Sequence, residues 1–270
     1  SVAAFVDVDM RQYANVDEIL NPPLAKELAG RTGDTGERLW VPRFDSDYDR
    51  PAEVLWPQTN LNHRISVFHG YGPIWTTESR LLLQFMPWGS SHDVLGMLYN
   101  PRLLAAMGVR WLAASSEEER ELMRLAAVPP DLSRMAPLTP AGQKKEYRNF
   151  AGFELPVVVD QPGVYAVEFK GWPTTGNRNR WFIWIEDESG KRISDQRMFD
   201  PSNFALGPQT VRCFLRFKTP AANAKLRGWV EILAAATISD LQFGRVAPWT
   251  QEDRTDGPYR LVKELPDGVR

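Results

Sequence analysis

Two unlike units are predicted in this chain of 270 residues: a small α/β unit over 1–127 and an all-β antiparallel sandwich of jelly-roll type over 148–248. Three observations lead there. At about 150 residues per domain the length suits two domains, and a chain of this size buries a core without staples. Prolines 129, 130, 137 and 140 break any periodicity between the units, which reads as a linker over 128–147. After Phe150, strand-like runs recur with turn residues between them and no helical period, whereas the first half mixes both signals. Residues 249–270 read as a tail that returns to the first unit.

Within the first unit, residues 4–10 alternate as a strand does. Asn21-Pro22-Pro23 then supplies an N-cap and prolines at the first helical positions, and Leu24, Ala25 and Leu28 make an apolar stripe as far as Gly30. A turn between Gly33 and Gly36 leads into a strand over 38–44. A polar loop over 45–60 and a short strand over 65–68 follow. Short helices are expected near 76–86, 91–98 and 101–107, then a strand over 109–113. A last helix starts after Ser115-Ser116, with Glu117, Glu118 and Glu119 where the helix dipole favours acids.

Sandwich strands are expected at 154–159, 163–171, 180–186, 210–218, 224–235 and 237–246, with Gly163, Gly176, Gly190 and Gly207 among the punctuating residues. Period-two alternation sends Tyr165, Val167 and Phe169 to the core, together with Cys213, Leu215 and Phe217, and with Leu226, Gly228, Val230 and Ile232. Phe214 and Trp229 then fall among arginines on outer faces, and Cys213 sits inside as a small inert hydrophobe. Trp181-Phe182-Ile183-Trp184-Ile185 is apolar on both faces, which predicts a central strand covered on both sides.

Composition narrows the function classes. Hydrophobic residues are 43% and charged residues 24%, an ordinary globular balance, and 32 Lys+Arg against 34 Asp+Glu leave a net charge of -2. That balance argues against a general nucleic-acid binder, which needs a concentrated basic surface. A single cysteine makes neither an intrachain disulfide nor a zinc cluster. The only histidines are His63, His69 and His92, and no G-x-S-x-G elbow is present, so no nucleophile triad is supported. No P-loop or G-x-G-x-x-G motif implies a cofactor. Asp7 and Asp9 share a strand face, either as solvated acids or as an acid–base pair. A metal site from His63 and His69 would need carboxylates that the sequence does not place, and a structural Ca²⁺ held by Glu154 and Asp240 is the other candidate metal. The longest apolar runs fall short of the about 18 residues a membrane helix needs. There is no signal-peptide pattern, and the absent initiator Met and abrupt end read as a piece cut from something longer.

Ten tryptophans are the unusual feature. A flat aromatic ring can lie against the apolar face of a pyranose while Asn, Arg or acidic groups bond its hydroxyls. An aromatic-rich outer face or loop on a jelly roll, as in carbohydrate-binding modules, is the physical form of such a site. The candidates are Trp172, Trp181 and Trp229 as stacking rings, with Asn177, Arg178, Arg180 and Arg227 for hydroxyls or anionic groups. The competing reading packs these tryptophans against the first unit or in the core, where one Trp buries a large area.

The first unit also carries an ordered series of short elements. These are Phe5-Val6-Asp7-Val8-Asp9, Pro22 to Leu28, Glu37-Arg38-Leu39-Trp40, Asn60 with Asn62, and Gly70-Tyr71-Gly72-Pro73. Asn100-Pro101-Arg102-Leu103-Leu104 and Met107-Gly108-Val109-Arg110-Trp111-Leu112 continue it, and Tyr259 to Arg270 fits its end. The succession resembles the extracytoplasmic region of bacterial YfhO-like polytopic membrane proteins, which are similar to GT-C-type glycosyltransferases. In that family a segment like 259–270 follows the Gly-Val-Arg strand almost directly, so the resemblance implies that the sandwich is an insertion. It further implies an extracytoplasmic location, tethering to the cytoplasmic membrane, and a transmembrane part of the same protein as partner. The family's activity is sugar transfer from a lipid-linked donor. Its catalytic carboxylates lie beside membrane helices that this sequence lacks, so none is carried onto these residues, and no transferase activity is expected of this piece alone.

The expected function is therefore recognition of a glycan or envelope polymer by the sandwich, raising the local concentration of acceptor. Two alternatives remain: a structural or protein-interaction insertion, and a secreted glycan hydrolase. The latter needs two carboxylates about 5–9.5 Å apart, and no such pair is evident in the sequence.

Overall fold

The computed structural model describes residues 23–29, 31, 36–42, 64–68, 93–114, 117–175, 181–199, 209–230, 235–249 and 257–263, with only the backbone at 172–175, 198–199 and 209. The expected strand at 4–10, the helix near 76–86, all three histidines, Asp7 and Asp9 lie outside these residues. So do three of the short elements that carry the family resemblance, at 5–9, 60–62 and 70–73, and the end of a fourth, 264–270.

In the first unit, β1 (Arg38–Trp40) and β2 (Val109–Leu112) pair in parallel, with Leu39 beside Trp111 and Trp40 beside Leu112. Helices α1 (Pro23–Leu28), α2 (Val94–Leu98), α3 (Pro101–Ala106) and α4 (Glu117–Ala126) pack around this pair. The Asp93 carboxylate caps α2 by accepting from the Gly96 amide at 3.0 Å, and Asn100 caps α3 by accepting from Leu103 at 3.1 Å. A Cβ at position 96 would stand 1.9 Å from that carboxylate, so glycine is what lets the cap close. Burial pushes the Asp93 carboxyl above its usual range, although the Arg197 charge and the Gly96 amide pull the other way.

The second unit is two antiparallel sheets packed face to face. One holds β5 (Gly152–Val159), β10 (Ala221–Val230), β7 (Trp181–Glu186) and β8 (Arg197–Phe199), in that order. The other holds β3 (Ala136–Pro137), β11 (Ala235–Pro248), β6 (Gly163–Thr175) and β9 (Gln209–Phe217), with β4 (Lys145–Arg148) also on β11. Their shared core contains Tyr165, Val167, Phe169, Cys213, Leu215, Phe217, Leu226 and Val230, the residues that period two sends inward. Burial pushes the Cys213 thiol far up, so it stays protonated and inert.

Two expectations change in detail. Residues 128–147 do not hang free between the units. Asp131 donates its amide to Val246 O at 2.7 Å, Leu138 donates to Leu241 O at 2.8 Å, and β3 pairs with Gln242 and Phe243. Prolines bar a long α-helix here, leaving a single 3₁₀ turn at Leu132–Arg134, but are tolerated in an edge strand, so the segment lies along β11. Phe214, expected among arginines on an outer face, is buried there. It meets Tyr99 edge-on at 4.8 Å, and Val164, Ala166, Val246 and Ala247 join it in one cluster with Leu95, Leu98, Leu122 and Leu125. The outer face of the five-stranded sheet is thus the floor of the first unit. Two ion pairs fasten the rim to α4, Arg216 with Glu118 and Lys218 with Glu121 at 2.7 Å, while inside the sandwich buried Arg197 donates to Phe214 O at 2.8 Å and Arg216 also pairs with Asp195 at 2.6 Å. Residues 257–263 return to the same unit, where Tyr259 donates to Leu98 O and Lys263 pairs with Glu27.

Candidate functional site

The four-stranded sheet turns its other face away from the first unit, and the strand register fixes what that face carries. Pairing of β10 with β7 sets Trp229 opposite Phe182, Arg227 opposite Trp184 and Lys225 opposite Glu186. Pairing with β5 sets Trp229 opposite Gly152, Arg227 opposite Glu154 and Lys225 opposite Pro156. Since side chains of one parity share a face, these residues form rows across the strands: an aromatic row at Trp229 and a charged row at Arg227.

In the aromatic row, Trp229 is half-buried between two phenylalanines. Phe150 stacks on it at 5.3 Å with planes 25° apart, and Phe182 lies at 5.4 Å tilted by 41°. Phe150 is 53% exposed and sits at φ +58°, next to Asn149 at φ +35°. A bulky residue in the left-handed region stores backbone strain that its surroundings must hold, and such strain gathers at functional sites. Here its amide donates to Val230 O at 2.9 Å and Val230 donates back to Ala151 O at 3.1 Å, which pins the turn to the end of β10. On the opposite face of β10, Gly228 leaves room for Phe153, whose ring would stand 2.2 Å from any added Cβ.

In the charged row, Arg227 bridges two carboxylates. Its Nε donates to Glu186 Oε2 at 2.8 Å and its Nη1 lies 2.6 Å from Glu154 Oε2, while Lys225 pairs with Glu154 Oε1 at 2.5 Å. Trp184 donates its indole N–H to Glu186 Oε1 at 2.7 Å. The Lys225 hydrogen bond holds the Glu154 carboxyl below its usual range. For Glu186, partial burial pushes upward, but the hydrogen bonds from Arg227 and Trp184 outweigh it and the net direction is down. Hydrogen bonding to Glu186 in turn raises Arg227. Both carboxylates are therefore ionised at neutral pH. A retaining or inverting glycosidase needs one carboxyl held protonated as acid, and this pair supplies none. The arrangement offers a rigid ring surface beside fixed donors and acceptors, which suits binding a polyhydroxylated ring.

Of the sequence-derived candidates, Trp229 and Arg227 come together on this face. Trp181 does not join them. It is 2% exposed, stacked 5.7 Å from Phe169 in the core between the sheets, because its parity in β7 is that of Ile183 and Ile185. Trp172 lies in β6, in the five-stranded sheet opposite Thr237, and so not in the strands that carry Trp229. Asn177, Arg178 and Arg180 lie outside the described residues. Glu154 and Asp240, the expected calcium ligands, are each engaged by basic side chains. They lie in different sheets, Glu154 against Lys225 and Arg227, and Asp240 against Lys170 at 3.2 Å and the Gly142 amide at 2.7 Å. Sequence reasoning missed Phe150, Phe182 and Glu186. Parity alone could have found Phe182 and Glu186, since they alternate with the core residues of β7. No sequence signal marks Phe150, which reaches the row from a turn.

Neither a protein-family model nor a curated protein sequence matches the chain. Among solved structures, the C-terminal CBM6 of the marine laminarinase LamC from Zobellia galactanivorans is similar at 10% identity and TM-score 0.30, covering 41% of this chain and 98% of that one. The C-terminal domain of the sugar-binding protein EclA is similar at 15% identity and TM-score 0.28, over 39% of this chain and 79% of that one. The arabinose-bound arabinofuranosidase MgGH51 is similar at 9% identity and TM-score 0.30 over 50% of this chain, which spans only 20% of the enzyme's length. At these scores the likeness carries no weight for what the chain binds, and that question rests on the geometry of the face.

Proposed function

We propose that the outer face of the four-stranded sheet binds a glycan, with Trp229 as the central platform and Phe150 and Phe182 extending it. Arg227, held between Glu154 and Glu186, faces the sugar hydroxyls with the acids that orient it. The observation that carries this reading is the half-buried aromatic row beside an ionised Arg–carboxylate row on the face turned away from the first unit. On the resemblance of the first unit, the protein is the extracytoplasmic part of a membrane-tethered, glycosyltransferase-like protein, and the sandwich, a jelly roll in this reading, holds acceptor near its active site.

Binding is tested with the full chain on a glycan array, followed by calorimetric titration of any hit. One sugar class should bind saturably, and Trp229→Ala should weaken it at least tenfold, about 1.4 kcal/mol, with the protein still folded. Phe150→Gly, which relieves the positive φ while removing the ring, should weaken binding several-fold without loss of stability. Silence across the array, or binding indifferent to both variants, rejects the reading. The structural or protein-interaction alternative, to which buried Trp181 already belongs, would then account for the whole face.

A further inference from the structure

The first unit holds a cavity of its own, apart from the aromatic face. A cavity of about 380 Å³ opens between α1, β2, α4 and residues 258–263, within the ~300–1,000 Å³ of small-molecule sites. Leu28, Leu39, Leu112 and Met123 give it an apolar lining. Around that lining stand Arg31, Arg110, Arg120, Arg124, Arg260 and Lys263, and among the described lining residues Glu27 is the only acid. The whole chain carries a net charge of -2, so this gathering of cations is local. A low-dielectric concavity ringed by one sign of charge focuses its field on whatever enters.

Four of the cations are already positioned. Arg31 pairs with Glu27 at 2.9 Å and lies over the Trp111 ring at 5.4 Å, and Lys263 pairs with the same carboxylate. Arg120 Nε and Arg124 Nη1 both bond Glu117, at 2.8 and 2.9 Å. Arg110 and Arg260 are exposed at the rim. Planar guanidinium groups held in place favour an oxyanion that accepts two bonds from each fork, and a dianion answers this excess of charge better than a single carboxylate.

We propose that this cavity binds a phosphate monoester joined to an apolar body, the phosphate among the guanidinium groups and the body against the leucines and Met123. The site is independent of the aromatic face, and either can fail without the other. The probe is octyl phosphate, titrated calorimetrically into the full chain, with inorganic phosphate and 1-octanol as its two halves. Saturable binding is expected for octyl phosphate, at least tenfold tighter than either half and weakened by salt. The double variant Arg110→Ser/Arg260→Ser should weaken it at least tenfold with the melting temperature unchanged, and should leave any glycan titration as in the wild type. No saturable heat with octyl phosphate, or equal binding by the double variant, overturns the proposal. Sedimentation with vesicles containing phosphatidic acid separates the two sources of the ligand. Co-sedimentation lost in the double variant indicates a membrane headgroup, and octyl phosphate binding without co-sedimentation indicates a free phosphate ester.

Discussion

Arg212-Cys213-Phe214-Leu215-Arg216 in β9 and Arg227-Gly228-Trp229-Val230 in β10 carry a similar local pattern, an aromatic residue two positions from arginine on the outward parity of a strand. Their surroundings differ. Phe214 is 5% exposed beneath Tyr99 and the helices of the first unit, and an arginine beside it, Arg216, is drawn into pairs with Asp195 and Glu118. Trp229 keeps part of its surface open, and Arg227 is held between two acids of its own sheet. The same residue types thus make a packing contact on one sheet and a partly open aromatic and charged face on the other. What separates them is which sheet the helices cover.

The largest effect expected from testing this contrast is on stability. Phe214→Ala should cost about 3–5 kcal/mol, as large-to-small changes at buried aromatic sites do, and Trp229→Ala no more than about 1–2 kcal/mol, from its ring contacts. Denaturant unfolding of both variants checks this, and equal losses would make the two faces alike. A second test uses titration, in which the faces have opposite signs. Asp93, partly buried at the cap of α2, has its pKa raised in the folded state by desolvation. It therefore binds protons that the unfolded chain releases, and its contribution makes stability fall as pH rises from about 4 through the folded pKa. Glu154 and Glu186 have theirs lowered, so their contribution is present above about 4.5 and lost as pH falls through the folded values. Asp93→Asn, which keeps a capping oxygen, should remove the first dependence and leave the second. Unfolding curves between pH 3 and 7 read both, and an unchanged profile would mean that Asp93 does not titrate as described. The smallest effect belongs to the rim. Lys218→Ala breaks an ion pair with Glu121 whose lysine is 61% exposed, and should cost less than about 1 kcal/mol, shrinking further in high salt.

Much of the sandwich was legible in advance because alternation is a local property. Tyr165, Val167, Phe169, Cys213, Leu215 and Phe217 face the core as period two requires, and Asn100-Pro101 announces the start of α3 by itself. The site was legible only in part. Trp229 and Arg227 share a face because they are two apart in one strand. Trp181 was misjudged because its composition suggested a platform while its parity placed it inside. Phe150 depends on a turn whose backbone enters the left-handed region, which an aromatic residue does not advertise. Glu154 and Glu186 flank Arg227 through β10 pairing with both β5 and β7, a neighbour relation between strands far apart in sequence.

By itself, then, the amino-acid sequence determined which residues of β6, β9 and β10 face the core, where α1, α3 and α4 start, and that no strong excess of charge marks the chain as a whole. Tertiary structure decided which sheet face the helices bury, which carboxylates meet Arg227, and that scattered arginines and Lys263 gather around one cavity. Side-chain parity and capping depend on neighbours a few residues away. Coverage, ion pairing and cavity lining depend on elements that come together only when apolar surface from distant segments is buried at once, as where Val164, Phe214 and Val246 meet Leu98 and Leu122.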